Sequence, residues 1–252
     1  MSETTAALRA MALLDLTDLA EDASEVGLRA LCERAVSGPV PVAAICIWPR
    51  FVAPARALLG EQPIAIATVV NFPLGDIPVA PVLRETEGAL AGGADEIDLV
   101  LPWRALLAGQ AQSASDMVEI VKARCGDKTL KVILETGEYP DLASVRAASD
   151  LAIAAGADFI KTSTGKTARS ANLEAARTML EAIKAAPRPV GLKPSGGIRT
   201  LADAAGYLAL ADEIMGSDWA TPKTFRFGAS GLHQVLVDVV AGAAAEPASG
   251  PY

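Results

Sequence analysis

Ala89-Leu90-Ala91-Gly92-Gly93-Ala94-Asp95-Glu96-Ile97-Asp98 is echoed further along the chain by Ala152-Ile153-Ala154-Ala155-Gly156-Ala157-Asp158-Phe159-Ile160-Lys161. Each copy reads as the end of an apolar helix, a glycine stop and the entry to a short apolar strand. Units of this kind build parallel sheets covered by helices. The repeat gives Asp98 and Lys161 the same place in their strands. In a closed barrel both side chains would point inward at a similar height. Ordinary likeness between two such units is the plainer alternative, since these folds contain many.

Working outward, the pattern predicts strands over residues 13–17, 42–48, 64–72, 96–101, 130–136, 157–163, 190–194 and 224–228. Helices are predicted over 6–14, 26–36, 54–59, 82–91, 142–155, 172–185, 201–210 and 233–244, and residues 117–124 lie in another. The strands are short and almost continuously apolar, as in parallel sheets buried on both faces. About eight alternations in 252 residues, with no Pro/Gly-rich linker, fit a single-domain TIM (β/α)8 barrel spanning residues 1–252. Residues 245–252 are small and read as a flexible tail. The competing architecture, a doubly wound open sheet, lacks a G-x-G-x-x-G after any early strand.

The chain is 51% hydrophobic and 21% charged, with net charge −8. It is therefore globular, and an acidic surface argues against nucleic acid or an anionic membrane as partner. An anionic substrate would need a local positive site. Cys32, Cys46 and Cys125 are widely spaced and form no CxxC, which argues against a disulfide framework or structural zinc. His233 is the only histidine, so a histidine-based metal site or a Ser-His-Asp triad has little to build on. Its place in an apolar stretch reads as a helix surface or packing residue. The first residues lack the basic start and apolar core of a signal peptide, and residues 235–245 are too short to span a bilayer. The expected compartment is the cytoplasm.

Lys161 then stands out, because a lysine inside a buried strand is costly unless paired or neutral. Other polar residues fall near predicted strand ends: Asp15 and Thr17 on the first, Cys46 on the second, Asp98 on the fourth and Lys193 on the seventh. Barrel enzymes carry their chemistry at those ends. Lys161 and Lys193 should sit on neighbouring strands, roughly 5 Å apart. Mutual repulsion and burial both favour a neutral amine, which attacks carbonyls to form Schiff bases. A structural ion cluster, Lys161 with Asp98 and Lys193 with Asp15, explains the same pattern, and the pattern does not choose. Lys131 and Glu135 share a predicted strand face and read as a structural ion pair. Gly165 and Lys166, Gly196 and Gly197, and Gly228 with Ser230 lie in loops after the last three strands, where barrels bind phosphate. Ordinary tight turns would also use these glycines.

Longer stretches carry a family resemblance. Leu14-Asp15-Leu16-Thr17, Ala43-Ala44-Ile45-Cys46-Ile47-Trp48-Pro49-Arg50-Phe51, Thr68-Val69-Val70-Asn71-Phe72-Pro73-Leu74-Gly75 and Gly93-Ala94-Asp95-Glu96-Ile97-Asp98 are followed by Leu130-Lys131-Val132-Ile133-Leu134-Glu135-Thr136-Gly137-Glu138 and Phe159-Ile160-Lys161-Thr162-Ser163-Thr164-Gly165. Gly191-Leu192-Lys193-Pro194-Ser195-Gly196-Gly197-Ile198-Arg199-Thr200 and Arg226-Phe227-Gly228-Ala229-Ser230 complete the series. In this order, across nearly the whole chain, they resemble the deoxyribose-phosphate aldolases.

The resemblance implies a TIM barrel that reversibly cleaves 2-deoxy-D-ribose 5-phosphate to acetaldehyde and D-glyceraldehyde 3-phosphate. It implies Lys161 as the Schiff-base lysine, Lys193 as the lysine that lowers its pKa, and Asp98 in a proton relay through water. Asp15, Thr17, Cys46 and Thr164 would position substrate. Gly165, Lys166, Gly196, Gly197, Gly228 and Ser230 would bind its phosphate, and Tyr252 would assist proton transfer at C2. No cofactor or metal is called for, and a homodimer or homotetramer is expected. Two departures stand out: Gly231 where many relatives have a second serine, and Trp48 where tyrosine is common. Rival readings are another lysine-dependent aldolase or transaldolase, and a barrel that binds a sugar phosphate without turning it over.

Overall fold

The computed structural model describes residues 2–248. Its strands are β1 (Leu14–Asp18), β2 (Ala44–Ile47), β3 (Ala65–Val70), β4 (Glu96–Val100), β5 (Thr129–Ile133), β6 (Phe159–Lys161), β7 (Gly191–Lys193) and β8 (Phe227–Ala229). They form one sheet in the order β7-β6-β5-β4-β3-β2-β1-β8, with every ladder parallel. Bridges from Leu192 to Phe225 and from Ser195 to Gly228 bring β7 against the β8 segment. The sheet therefore curls into a (β/α)8 barrel, and the open-sheet alternative is set aside.

The hydrophobic core lies between the strands and the surrounding helices. Ile45, Ile47, Ile66, Ile97, Leu99, Val132, Ile160 and Leu192 face it from the sheet. Several helix starts at the end where the strands terminate are fixed by short polar side chains. Ser24, Asp141 and Asn172 each accept an N–H from the first turn, and Thr200 forms a capping box with Asp203. Among the described residues no helix is long and apolar enough to cross a membrane.

Several boundaries differ from the sequence pattern. The strand expected over 157–163 is only Phe159–Lys161, so Lys161 ends its strand. Beyond it, the Thr162 N–H reaches the Lys193 carbonyl (3.1 Å), and the Thr162 carbonyl accepts the Thr136 N–H (2.8 Å). Both bonds hold the chain but no longer continue the β5–β6 ladder. The helix expected to stop at residue 210 runs on through Leu201–Met215, because nothing before Gly216 breaks it. A short helix, Trp103–Leu107, was not expected. His233 is buried in the closing helix Leu232–Val240, in the packing role.

Two glycines shape the barrel interior. A Cβ on Gly191 would lie 2.3 Å from the Phe159 ring, so the absent side chain makes room for that ring. A Cβ on Gly228 would meet Ser195 Oγ at 2.2 Å and Lys193 Cε at 3.1 Å. Lys193 therefore runs through space that Gly228 leaves open. We expect Gly228→Ala to lower stability by about 1–3 kcal/mol through overpacking against Ser195 and Lys193, with cooperative unfolding retained. A denaturant melt checks this; an unchanged midpoint would mean that Ser195 yields without strain.

Candidate active site

The barrel interior holds a buried ion network. Lys161 and Lys193 are register partners on adjacent strands. Asp98, the third residue of β4 as Lys161 is of β6, projects between them. Asp98 Oδ2 accepts Lys161 Nζ at 2.9 Å and Lys193 Nζ at 2.7 Å, while Oδ1 accepts Lys131 Nζ at 3.0 Å. Lys193 Nζ also lies 2.5 Å from Asp15 Oδ2. Lys131 pairs with Glu96 and lies 3.3 Å from Asp15 Oδ2. Arg226 spans Asp15 (2.6 Å) and Glu96 (2.7 Å).

The pattern set the amine chemistry against an ion cluster, and the interior contains the ion pairs together with a shared carboxylate. Lys161 with Asp98 and Lys193 with Asp15 are indeed paired. Yet Asp98 Oδ2 serves two amines at once, which places two like charges on one oxygen whenever both are protonated. Among the described residues of this network, Asp15, Glu96 and Asp98 supply three carboxylates, and Lys131, Lys161, Lys193 and Arg226 four cations.

Burial pushes the Asp98 carboxyl upward, but Lys131, Lys161 and Lys193 together pull it well below the usual carboxylate range. Asp15 is lowered likewise, burial being outweighed by Lys131, Lys193 and Arg226. Lys131 is raised: burial opposes its charge, but Asp15, Asp98 and Glu96 outweigh it. The surrounding charges thus favour the anionic form of Asp98 and Asp15 and the cationic form of Lys131.

Cys46 is fully buried in a small apolar cluster with Leu19, Ala67 and Val69, beside Trp48 and Phe72. Burial raises its thiol pKa, so it lines the interior as a thiol. The Thr17 hydroxyl donates to the Asp15 carbonyl (2.8 Å). Trp48 Nε1 donates to the Ala20 carbonyl (2.9 Å), tying the loops after β2 and β1 together.

The loops after β6, β7 and β8 converge. Gly165, Gly196 and Gly197 all have positive φ, at 73°, 82° and 80°, a region that favours glycine. A Cβ on Gly196 would lie 2.8 Å from Ser170 Oγ and 3.4 Å from Gly165 Cα, so these loops touch. Lys166 Nζ reaches the Leu19 carbonyl after β1 (3.0 Å). Ser230 and Gly231 follow β8 at the start of the helix Leu232–Val240. Tyr252 lies outside the described residues.

One expected pair is corrected. Lys131 and Glu135 do not bond to each other. β5 ends at Ile133, and Glu135 turns into the left-handed region at φ 63°, which carries its side chain away from the ladder. Its carboxylate instead takes the Thr164 hydroxyl (2.5 Å) and N–H (3.1 Å). Thr164 in turn accepts the Lys166 N–H at 3.0 Å, so Glu135 fixes the loop that bears Lys166.

Lys131, which the pattern paired with Glu135, belongs to this network, and so do Glu96 and Arg226, which the pattern passed over. A period-two signal was available: Glu96 lies two before Asp98, and Arg226 two before Gly228. Arg226 fell inside the strand expected over 224–228, on the face of Gly228, whereas β8 begins at Phe227.

A (β/α)8 barrel with paired lysines on one carboxylate, beneath glycine-lined loops, is the architecture of a lysine-dependent barrel aldolase. The family model described as DeoC/LacD family aldolase matches residues 9–230. The chain belongs to that family. It is 53% identical over 249 residues to the deoxyribose-phosphate aldolase of Agrobacterium fabrum, covering 98% of this chain and 96% of that one. The crystal structure of the apo form of a Toxoplasma gondii ME49 protein assigned as a deoxyribose-phosphate aldolase superposes with a TM-score of 0.87. It is 27% identical, covering 95% of this chain and 98% of its own. The tetrameric deoxyribose phosphate aldolase of Aeropyrum pernix gives 0.76 at 25% identity, covering 94% and 96%.

Proposed function

We propose that the protein is a class I aldolase that reversibly cleaves 2-deoxy-D-ribose 5-phosphate to acetaldehyde and D-glyceraldehyde 3-phosphate. The observation that carries this is the sharing of Asp98 Oδ2 by the buried Lys161 and Lys193. The substrate follows from family membership and from the extent of identity to the Agrobacterium relative.

Lys161 Nζ, as the neutral amine, adds to the C1 aldehyde of the open-chain sugar and loses water to give an iminium. The C3 hydroxyl gives up its proton, the C2–C3 bond breaks, and its electron pair moves to C2 to form an enamine. D-glyceraldehyde 3-phosphate leaves. C2 then takes a proton, and water hydrolyses the iminium to release acetaldehyde and Lys161. Asp98, held ionised, orients both amines and passes protons between them and a water. Lys193 supplies the positive charge that favours the neutral form of Lys161.

Asp15 and Thr17 hold the β1 side of the site, and Cys46 and Thr164 shape its walls. Lys166, Ser230 and the N–H groups around Gly165, Gly196, Gly197 and Gly228 form the phosphate cradle, helped by the helix start at Leu232. Gly231 offers an N–H where a serine would add a hydroxyl. Tyr252 assists protonation at C2. The assembly is a homodimer or homotetramer, in line with the tetramer of the Aeropyrum relative, and the compartment is the cytoplasm.

Acetaldehyde with cyanoborohydride tests the assignment. Peptide mass mapping is expected to find one ethyl group, on Lys161. An adduct confined to another lysine would overturn it.

A further inference from the structure

The mechanism above uses only the upper part of the ion network. The lower part, away from the loops that follow the strands, is also buried and has no assigned task. There the Arg226 guanidinium lies 5.8 Å from the Phe159 ring centroid and donates Nε to the Pro222 carbonyl. One edge grips Asp15 Oδ1 (2.6 Å) and the other Glu96 Oε1 (2.7 Å). Asp15 uses its second oxygen for Lys193 (2.5 Å) and Lys131 (3.3 Å). Glu96 uses its second for Lys131, which passes the contact to Asp98 (3.0 Å). Two unbroken ionic routes therefore join Arg226 to Lys161: through Asp15, Lys193 and Asp98, and through Glu96, Lys131 and Asp98.

We propose that Arg226 and Glu96 are positioning residues that set the protonation of Lys161 through this network, and with it the pH range in which the amine is nucleophilic. The inference rests on the reading of Lys161 as the reacting amine. Arginine suits such a task because it keeps its charge at any pH at which the enzyme works. It stands as a permanent positive neighbour of Asp15 and Glu96, and with Lys131 and Lys193 it keeps the Asp15 carboxyl below its usual range. Burial opposes its charge, but Asp15 and Glu96 outweigh that and raise its pKa further.

Other charged residues among those described face these groups. Lys122, Asp127, Asp158 and Lys223 line the cavity of about 420 Å³ beneath Arg226 and Glu96. Of these, Lys122 and Asp158 pair with each other at 2.7 Å. Around Lys161 stand Asp98, Lys193 and Lys131, with Glu135 acting from the end of β5. In a buried network, charges interact through less solvent than at the surface, so a change at Arg226 is felt at Lys161.

The sign follows from charge alone. Removing the Arg226 cation makes the interior more negative, which favours protonated Lys161. Removing the Glu96 anion does the reverse. The test is the pH dependence of the rate at which acetaldehyde and cyanoborohydride modify the enzyme. Acetaldehyde has no ionisable group in this range, so the variants differ only through the protein.

Relative to wild type, the acidic limb should move up by roughly 0.5–1 pH unit in Arg226→Gln and down by a similar amount in Glu96→Gln. Arg226→Lys should restore most of the wild-type limb. A purely structural role could slow both variants but would not displace their limbs in opposite directions. Limbs that stay in place, or move together, would overturn the inference. Should Arg226→Gln fail to fold, the Glu96→Gln limb decides alone: a downward shift supports the inference and no shift overturns it. Mass mapping keeps the two readings apart. Modification at Lys161 with unmoved limbs sinks only this inference, whereas modification elsewhere sinks the aldolase assignment.

Discussion

Lys161→Leu is expected to reduce kcat for deoxyribose phosphate cleavage by roughly four orders of magnitude or more, and to abolish trapping by acetaldehyde and cyanoborohydride. No other amine is placed to take over. Lys193 shares Asp98 Oδ2 with Lys161, but it is also bound at 2.5 Å to Asp15 and flanked by Gly228. Lys131 is raised and kept charged by Asp15, Asp98 and Glu96, after burial is overcome, so it is a poor nucleophile. The same substitution should leave the fold intact. Asp98 keeps Lys131 and Lys193, and leucine fits an interior where an ammonium was costly to bury. We expect the unfolding midpoint in urea to stay level or rise while activity disappears, the usual trade where a buried charge serves function. Trapping that persists in the variant would remove Lys161 from the mechanism. A large fall in stability would show that the lysine is chiefly a structural cation.

The barrel was legible because its signals are local. Gly92-Gly93 and Gly156 stop helices, short apolar runs follow, and the spacing repeats to the end of the chain. Asp98, Lys161 and Lys193 were legible for a related reason: each is a charged residue in an otherwise apolar strand. What could not be read was pairing. Lys131 and Glu135 lie four apart and share a face if the strand is regular. The left-handed turn at Glu135 ends that regularity, and one residue in that region reverses the inference. The partners of Lys131 come from β1 and β4, and barrel shear, which brings them level, is not written in any one segment. Arg226 was illegible for the same reason, because its partners Asp15 and Glu96 come from β1 and β4. The loop glycines carried weight only once Gly196 was found against Gly165, and Gly228 against Ser195 and Lys193.

Asp98→Asn is expected to damage stability and activity together, the opposite of Lys161→Leu. The carboxylate is the common acceptor for Lys131, Lys161 and Lys193 at 3.0, 2.9 and 2.7 Å. Asparagine keeps the shape and removes the charge, leaving three buried amines to the two remaining carboxylates. Breaking a buried ion pair on one side costs about 3–5 kcal/mol. For a chain of this size that is a fall in Tm of about 10 °C.

The pH dependence gives the sharper test. In wild type the folded-state pKa of Asp98 lies well below its unfolded value, as burial is outweighed by the three lysines. Its stabilising contribution is therefore complete above the unfolded pKa of about 3.9 and is lost as pH falls through the folded value. In the variant that acid-side contribution is gone. A new dependence should replace it on the alkaline side. Without Asp98 the folded state binds protons on these amines less readily than the unfolded chain does, so stability should rise with pH from neutrality towards the lysine range. Denaturant midpoints at pH 5, 7 and 9, compared between the two proteins, would show the crossover as a widening gap at low pH. A gap that does not change between pH 5 and 9 would mean that Asp98 contributes shape and hydrogen bonds rather than charge. The loss of kcat, about 10²- to 10⁴-fold, would then have to be explained by misorientation of Lys161 alone.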